Sequence, residues 1–368
     1  MAVPAHGYGT AVPDDELPHG LTRSDTAGPG WTRRRRGKGW SYSDDRGTII
    51  TDPLVRTRIG QLAIPPAWRE VWIAPDEHGH VQAVGTDDAG RRQYLYHPVW
   101  REARDQVKHD RALVLGSRMP RIRAEIAARL GERGLGSRRV LAAGLRMLDL
   151  GVFRAGGEQY APDNPDDDGT FGLATLLREH AVLQRGAVLV DYPAKGGVQR
   201  AVRLADPDLH TVIGSLRRRR GGGEELLAYR DDGRGQEWHD VTTADLNAAV
   251  KELAGDEMTC KDLRTWNATV LAAVELAARS RDGIPDAERA RNRQVRQTMT
   301  AVAEHLGNTP AVARASYVDP RVVQRYEDGR TILRALRKVG DVTSEDGSVD
   351  GRSRDVLDRA VVRLIRHG

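Results

Sequence analysis

Hydrophobic and polar residues alternate over short stretches in the first third of the chain, between about residues 49 and 97. Three runs there favour β-strands, at positions 71–74, 80–84 and 92–96. Turn-like segments that contain Asp and Gly separate these runs, so the pattern predicts a small antiparallel meander. Tyr94 and Tyr96 are two residues apart in the third run, and we therefore expect both side chains on one face.

Apolar residues recur at helical spacing after residue 98, and several of these patterns stop at a glycine. They are Ile122, Ile126 and Leu130 before Gly131, Leu141, Leu145 and Leu148 before Gly151, and Val295, Met299, Val302 and Leu306 before Gly307. Glycine is common just past a helix C-terminus because it adopts the left-handed conformation easily. We therefore expect three helices that end at these glycines.

Polar residues mark the start of two further helices. Thr259 and Asp262 form the sequence pattern of a capping box ahead of apolar residues at helical spacing. Thr309 precedes Pro310, and proline is favoured at the first position of a helix. The pair at 319–320, Asp-Pro, is the predicted end of that short helix.

A β-hairpin interrupts the helical part of the chain. Two β-prone stretches, 187–190 and 198–204, flank a segment that contains Pro, Lys and Gly. This pattern predicts a hairpin with Lys195 at its tip. Four arginines at 217–220 precede three glycines, which predicts a mobile basic loop.

Residues 1 to about 30 are polar and show no apolar period, which predicts a disordered leader. The arginine run at 33–36 follows it. This run is either part of a solvated tail or an arm that holds phosphates.

Composition and charge narrow the class of protein. The 368 residues include 57 Lys and Arg and 52 Asp and Glu, and the net charge of +5 permits a polyanion partner without proving one. With 30% charged residues and no apolar run of spanning length, the sequence excludes a membrane protein. The N-terminus lacks the features of a secretory signal, and a single cysteine, Cys260, favours a reducing compartment. We expect a cytoplasmic protein.

Four segments carry residues suited to phosphate chemistry. They hold Arg154 before a pair of glycines, Lys195 at the hairpin tip, Arg264 near the start of a helix, and 308–310 followed by Tyr317. Taken one at a time, each residue has an ordinary explanation as a cap, a solvated side chain or a packing residue. Local pattern also does not rank Tyr317 above Tyr326.

Together and in this order, these residues resemble the active site of type IB DNA topoisomerases, in the poxvirus-like bacterial branch of the tyrosine recombinase/topoisomerase IB superfamily. The resemblance covers about residues 45–335 and includes the segment 90–96, which looks like the DNA-contacting strand of that branch. It implies an α+β fold, with a small antiparallel β-rich N-terminal domain and a larger, mainly α-helical catalytic domain that contains a β-hairpin. The two domains are expected to close around duplex DNA as a C-shaped clamp.

The resemblance also implies a domain division. We expect a disordered basic leader at 1–44, a β-rich DNA-binding domain at 45–98, and a catalytic DNA breaking-rejoining domain at 99–368.

The resemblance assigns a role to each catalytic candidate. Tyr317 attacks the phosphodiester and forms a covalent 3′-phosphotyrosine link, so resealing needs no ATP. Arg154 and Arg264 hold the phosphate oxygens, which a planar guanidinium binds in pairs. Asn308 stands where many members have histidine, and it donates a hydrogen bond but cannot ionise. Lys195 protonates the leaving 5′ oxygen, with Arg154 as the relay.

The implied substrate is double-stranded DNA, relaxed by transient cleavage of one strand, rotation and religation. The predicted DNA contacts are Arg91, Arg92, Gln93, Tyr94, Tyr96, Tyr160 and Lys261. Binding mostly through phosphates suits an enzyme that acts on any supercoil. We expect a monomer that associates with the nucleoid and not with a membrane.

We expect neither a metal nor another cofactor. The acidic residues at 163–168 suggest, as an alternative, Mg²⁺ and either a nuclease or a type IA enzyme. The adjacent prolines and glycine are instead typical of a solvated loop. The cysteine and scattered histidines form no zinc ligand set, and the chain has no Gly-x-x-x-x-Gly-Lys-Ser/Thr motif for ATP.

Two other functions stay open at this point. A site-specific tyrosine recombinase would share the catalytic residues, although the small β domain argues against it. A non-enzymatic nucleoid-binding protein would account for the basic tracts, and it would form no covalent adduct with DNA.

Overall fold

The computed structural model describes residues 17–156, 170–195, 197–230, 237–340 and 351–367, the last range without the side chains of its first two residues. The chain divides into two compact units, one that ends at Val107 and one that begins at Lys108. The predicted domain boundary lay at 98/99, where the first long helix begins. The observed boundary lies inside that helix.

The N-terminal unit is built on an antiparallel sheet with the strand order β2-β1-β3-β4-β5. Its strands are β1 (Trp31–Arg36), β2 (Gly39–Ser43), β3 (Arg69–Ile73), β4 (Val81–Thr86) and β5 (Arg92–Tyr96). Helix α1 (Pro53–Gln61) begins after Asp52, whose side chain accepts a hydrogen bond from the N–H of Leu54. The predicted meander of β3, β4 and β5 is confirmed. Its core contains Ile59, Trp68, Val71, Ile73 and Ala83.

The arginine run is part of this sheet, so its assignment to a disordered leader was wrong. Arg33 donates hydrogen bonds to the carbonyls of Ile64, Pro65 and Trp68, at 3.0, 2.7 and 3.0 Å. Its guanidinium also lies 4.0 Å from the ring centre of Trp40 on the neighbouring strand. The carbonyl acceptors lie far from Arg33 in the sequence. The local run of charged residues therefore gave no indication of a strand. Residues 1–16 lie outside the described part of the chain.

The C-terminal unit is mainly helical, and the predicted α+β fold is confirmed. Its helices are α2 (Pro98–Leu130, which begins in the first unit), α3 (Ser137–Gly151), α4 (Pro207–Arg218), α5 (Thr243–Ala254), α6 (Cys260–Arg279), α7 (Glu288–Leu306), α8 (Pro310–Ser316), α9 (Pro320–Glu327), α10 (Leu333–Val339) and α11 (Gly351–His367). Strands β6 (Ala181–Gln184), β7 (Ala187–Ala194) and β8 (Val198–Ala205) form an antiparallel sheet, and β9 (Ala228–Arg230) pairs with β10 (Trp238–Asp240). The predicted hairpin is β7–β8, with Lys195 in its turn.

The predicted helix boundaries are confirmed in most places. Gly307 ends α7 in the left-handed conformation, at φ +61°. Helix α3 ends one residue later than expected, because Val152 and not Gly151 adopts the left-handed conformation, at φ 49°. A side chain at Gly151 would collide with the ring of Phe153. Asp319 follows α8, and its side chain also caps the start of α9.

The arginines at 217–220 do not form the mobile loop that we predicted. Arg217 and Arg218 belong to the last turn of α4. Arg219 is buried and donates to the carbonyls of Leu216 and Leu226, at 3.0 and 3.1 Å. The run therefore ends a helix and anchors the glycine-rich segment after it.

A buried ion network joins α2 and α3 to the C-terminal helix α11. Arg123 donates to Asp149 and Asp355, each at 2.8 Å, and also to Asp358. Arg354 also donates to Asp149, at 3.0 Å, and shares Oδ1 with Arg123. Burial by itself raises the pKa of Asp149, but the two guanidinium groups hold that pKa well below its ordinary value. The carboxylate is therefore charged in the folded protein.

We expect Arg123→Met to destabilise the protein by about 3–5 kcal/mol, because it leaves buried carboxylates without their counter-charge. The matched control is Arg138→Met, which removes an exposed arginine beside Glu125 and Glu132 and costs about 0–1 kcal/mol. Urea denaturation of the full chain measures both. Equal losses for the two variants would contradict the role of the buried network.

Candidate active site

The C-terminal ends of α3 and α7 lie side by side, joined by arginines. Carbonyls in the last turn of a helix lack intrahelical N–H partners. Here such carbonyls belong to Gly151 and Val152 at the end of α3 and to His305, Leu306 and Gly307 at the end of α7. The helix dipoles add negative potential at the same place, which favours cations.

Arg264 bridges the two helix ends from the first turns of α6. Its guanidinium donates to the carbonyls of Val152 and Leu306, and only 4% of the residue is exposed. Burial lowers the pKa of Arg264 to about 10, so the group is still protonated at neutral pH. Its Nε is buried and has no hydrogen-bond partner within the described residues. One donor of this arginine therefore has no acceptor among the described residues.

Arg154 and Asn308 are brought together by the same junction. Arg154 follows α3 and donates to the side-chain oxygen of Asn308, and at 3.4 Å to the carbonyl of Gly307. Since arginine can only donate, this bond fixes the amide orientation of Asn308. The Nδ2 of Asn308 is buried, and no group in the described part of the chain accepts from it. The asparagine thus presents a donor, as its predicted role requires.

Tyr317 ends α8 with its ring 5.2 Å from the guanidinium carbon of Arg264. Thr269 on α6 contacts this segment through its buried hydroxyl, which accepts from the N–H of Asp319 at 3.1 Å. The single hydroxyl proton lies between the carbonyls of Thr265, at 2.9 Å, and Tyr317, at 3.2 Å. Burial alone raises the pKa of this phenol. The positive charges of Arg264, Arg154 and Lys261 outweigh burial, so the net pKa lies below the ordinary tyrosine value.

Tyr326 is fully buried in α9, and this distinguishes the two tyrosines that local sequence did not rank. Its hydroxyl donates to the side chain of Gln294 on α7. Tyr317 is half-buried and faces the arginines. The core packing of Tyr326 leaves Tyr317 as the candidate nucleophile.

Lys195 and Lys261, the two candidate lysines, lie in different elements. Lys195 is in the turn of the β7–β8 hairpin with an exposed side chain. Lys261 is in the first turn of α6, whose capping box is confirmed because Asp262 accepts from the N–H and hydroxyl of Thr259, at 2.9 and 2.7 Å. Arg111 on α2 donates to the other oxygen of Asp262 at 2.8 Å. This pair holds the start of α6 in place.

Sequence reasoning missed Arg200 on β8. Its Nη2 donates to the carbonyls of Gly151 and His305, both at 2.7 Å, so it bridges the same two helix ends as Arg264. The sequence placed Arg200 in a strand but held no signal of this contact, because both acceptors are backbone atoms from distant segments.

The predicted DNA contacts of the N-terminal unit lie on β5 or directly before it. Tyr94 and Tyr96 share a face as predicted, with rings stacked 6.0 Å apart. Gln93 is buried and donates to Asp87 at 2.9 Å, and Arg91 pairs with the same carboxylate at 2.9 Å. Arg92 is exposed at the start of β5. Tyr160 lies outside the described residues.

Within the described ranges, no group of three or more His, Cys, Asp or Glu side chains is arranged to hold a metal ion. The acidic stretch at 163–168 lies outside those ranges. None of the helices in the described part of the chain is both long enough and apolar enough to span a membrane.

Two family models match most of the chain. The model for the catalytic core of eukaryotic DNA topoisomerase I matches residues 97–339, which include all five predicted catalytic residues. The model for the N-terminal domain of bacterial DNA topoisomerase IB matches residues 39–87.

Curated relatives are similar over most of their own length. DNA topoisomerase 1B of Acanthamoeba polyphaga mimivirus is 27% identical over 289 residues, which cover 78% of this chain and 84% of the relative. DNA topoisomerase I of Monkeypox virus and DNA topoisomerase 1B of Vaccinia virus (strain Copenhagen) are each 24% identical over 256 residues, 67% of this chain and 72% of the relative. The core match spans more than half of the chain, and the chain therefore belongs to the type IB DNA topoisomerases.

Proposed function

We propose that this enzyme relaxes supercoiled duplex DNA through a covalent 3′-phosphotyrosine at Tyr317, without ATP or a metal ion. The observation that carries the proposal is the junction of α3 and α7. There Arg154, Arg264 and Asn308 converge beside a half-buried tyrosine whose pKa is lowered by positive charge.

The chemistry needs a nucleophile, charge stabilisation and an acid. The phenolate oxygen of Tyr317 forms a bond to phosphorus while the bond from phosphorus to the 5′ oxygen breaks. The leaving oxygen takes a proton, and the other strand end is free to rotate. Religation reverses both steps, and the phosphotyrosine conserves the bond energy, so ATP is not required.

Positive side chains supply the stabilisation that a metal gives in other phosphoryl-transfer enzymes. We assign two buried donors to the non-bridging oxygens, the Nε of Arg264 and the Nδ2 of Asn308, because neither has an acceptor among the described residues. Their burial in a low-dielectric site strengthens each such hydrogen bond. We assign Lys195, at the hairpin turn, to proton donation, with Arg154 as the relay.

We further propose that one face of the N-terminal sheet binds DNA phosphates. Cross-strand pairing places Thr32, Trp72, Val84 and Tyr94 in one row, on a single face. Arg34 and Arg36, two and four residues after Thr32, share this face and lie toward the same end of the sheet as Arg92. All three arginines are exposed. They extend the surface predicted from β5 across the sheet to β1.

Tyr317→Phe should abolish relaxation and covalent adduct formation, because it removes the nucleophile, while DNA binding stays nearly unchanged. The matched control is Tyr326→Phe, which should still relax DNA because that hydroxyl is buried and donates to Gln294. Relaxation of a supercoiled plasmid in EDTA without ATP measures both. Relaxation by the Tyr317 variant would refute the assignment of the nucleophile.

The same assay tests metal independence. An absolute requirement of the wild type for Mg²⁺ would refute it.

The phenol of Tyr317 should ionise below the ordinary tyrosine pKa of about 10. The near-ultraviolet absorbance of phenolate, titrated in the wild type and in Tyr317→Phe, gives this pKa by difference. Arg264→Lys retains the positive charge and should keep the pKa low, whereas Arg264→Met should raise it. A midpoint at or above the ordinary value in the wild type would contradict the electrostatic activation.

Replacing both Arg34 and Arg36 by Ala should reduce the salt dependence of DNA binding, because each lost phosphate contact lowers the slope by about 0.9. Substitution is preferable to deletion, since deletion would remove β1 from the sheet. The control pair is Arg363→Ala with Arg366→Ala, on the exposed face of α11. Binding isotherms over a range of salt concentrations measure the slope. An unchanged slope for the β1 pair would refute this DNA-binding surface.

A further inference from the structure

We propose that Arg200 is a positioning residue. It holds the β7–β8 hairpin, with Lys195 in its turn, in place against the arginine junction, by which we mean Arg154 and Arg264 at the ends of α3 and α7. The proposal rests on the function proposed above and extends it to a residue outside the predicted catalytic set. Arg200 acts through Lys195 and has no assigned contact with DNA.

The contacts of Arg200 join three elements. Its Nη2 donates to the carbonyl of Gly151 at the end of α3 and to that of His305 at the end of α7, both at 2.7 Å. Its Nη1 lies 3.4 Å from the hydroxyl of Tyr192, the residue opposite it on β7. Its guanidinium carbon is 5.4 Å from the ring centre of Phe153. One side chain thus fixes the hairpin to both helix ends.

Arg200 and Arg264 form two parallel bridges. Arg264 binds the carbonyls of Val152 and Leu306, and Arg200 binds the carbonyl that precedes each of them in the chain. The bridge through Arg264 belongs to α6, whereas the bridge through Arg200 belongs to β8. Arg200 therefore helps to set the position of the hairpin relative to the phosphate-binding arginines, beside the core packing of β7 and β8.

The paired strands of the hairpin couple the position of Arg200 to that of Lys195. The β7–β8 ladder is continuous from Ala187, paired with Ala205, to Ala194, paired with Val198, with Lys195 in the turn that follows. An acid must lie within hydrogen-bond reach of the oxygen that it protonates. Because a displacement of about 1 Å can cost about 10² in rate, loss of the bridge should slow cleavage by that order.

The test is single-turnover cleavage by Arg200→Met of two suicide substrates, one with the natural 5′ oxygen and one with sulfur at the scissile 5′ position. We expect about a 10²-fold loss with oxygen and most of the rate restored with sulfur, since a thiolate leaves without a proton. Lys195→Ala should behave in the same way. The double variant should be no slower than Lys195→Ala, because both substitutions remove the same protonation.

Two further variants separate positioning from general damage. Arg200→Lys can bind only part of the acceptor set and should be intermediate in rate. Arg203→Met removes a positive charge from the opposite face of the same strand and should cleave at nearly the wild-type rate. DNA affinity should change by less than about 3-fold in all of these variants, as expected when the phosphate contacts stay intact.

Several outcomes would overturn the proposal. They are a wild-type rate for Arg200→Met, an equal loss on both substrates, and a loss that multiplies with that of Lys195→Ala. If Lys195→Ala itself cleaves normally, the assignment of the acid fails and the coupling fails with it, but covalent cleavage by Tyr317 stands. Absence of any covalent adduct in the wild type would instead refute the proposed function.

Discussion

Two helices of this enzyme end side by side, and the carbonyl oxygens of their last turns, which lack intrahelical N–H partners, favour cations between them. Arg264 and Arg200 each bind one carbonyl from α3 and one from α7, and Arg154 reaches the segment that follows α7. The folded state therefore gathers positive charge where a phosphate is proposed to bind. The same charge lowers the pKa of the adjacent tyrosine, so one electrostatic requirement serves both stability and the proposed chemistry.

The arginine junction depends on the placement of α6. The first turn of this helix is held by the ion pair between Asp262 and Arg111 on α2. Farther along, Trp266 donates from its indole to Asp358 on α11 at 2.8 Å. Asp358 in turn pairs with Arg123 in the buried ion network. Helix α11 lies beyond the catalytic-core match at 97–339, yet it is connected to the helix that carries Arg264.

The N-terminal unit meets a different physical constraint. In its arginine-rich strand, Arg33 binds the fold, whereas Arg34, Arg35 and Arg36 are exposed. Arg33 is tied to backbone carbonyls and to Trp40, which holds β1 in the sheet, while Arg34 and Arg36 point to the other face. A single run of like charges thus contributes both to the fold and to the exposed surface that we propose for DNA binding.

The sequence by itself determined the features that depend on neighbouring residues. Helix ends at Gly131 and Gly307, the capping box at Thr259 and the hairpin around Lys195 follow from local backbone preferences, and each was predictable. Only the tertiary structure decided which tyrosine is accessible, that the arginine run forms a strand, and that Arg200 bridges two helix ends. These outcomes depend on burial and on backbone acceptors that are distant in the sequence, and no local pattern indicates either of them.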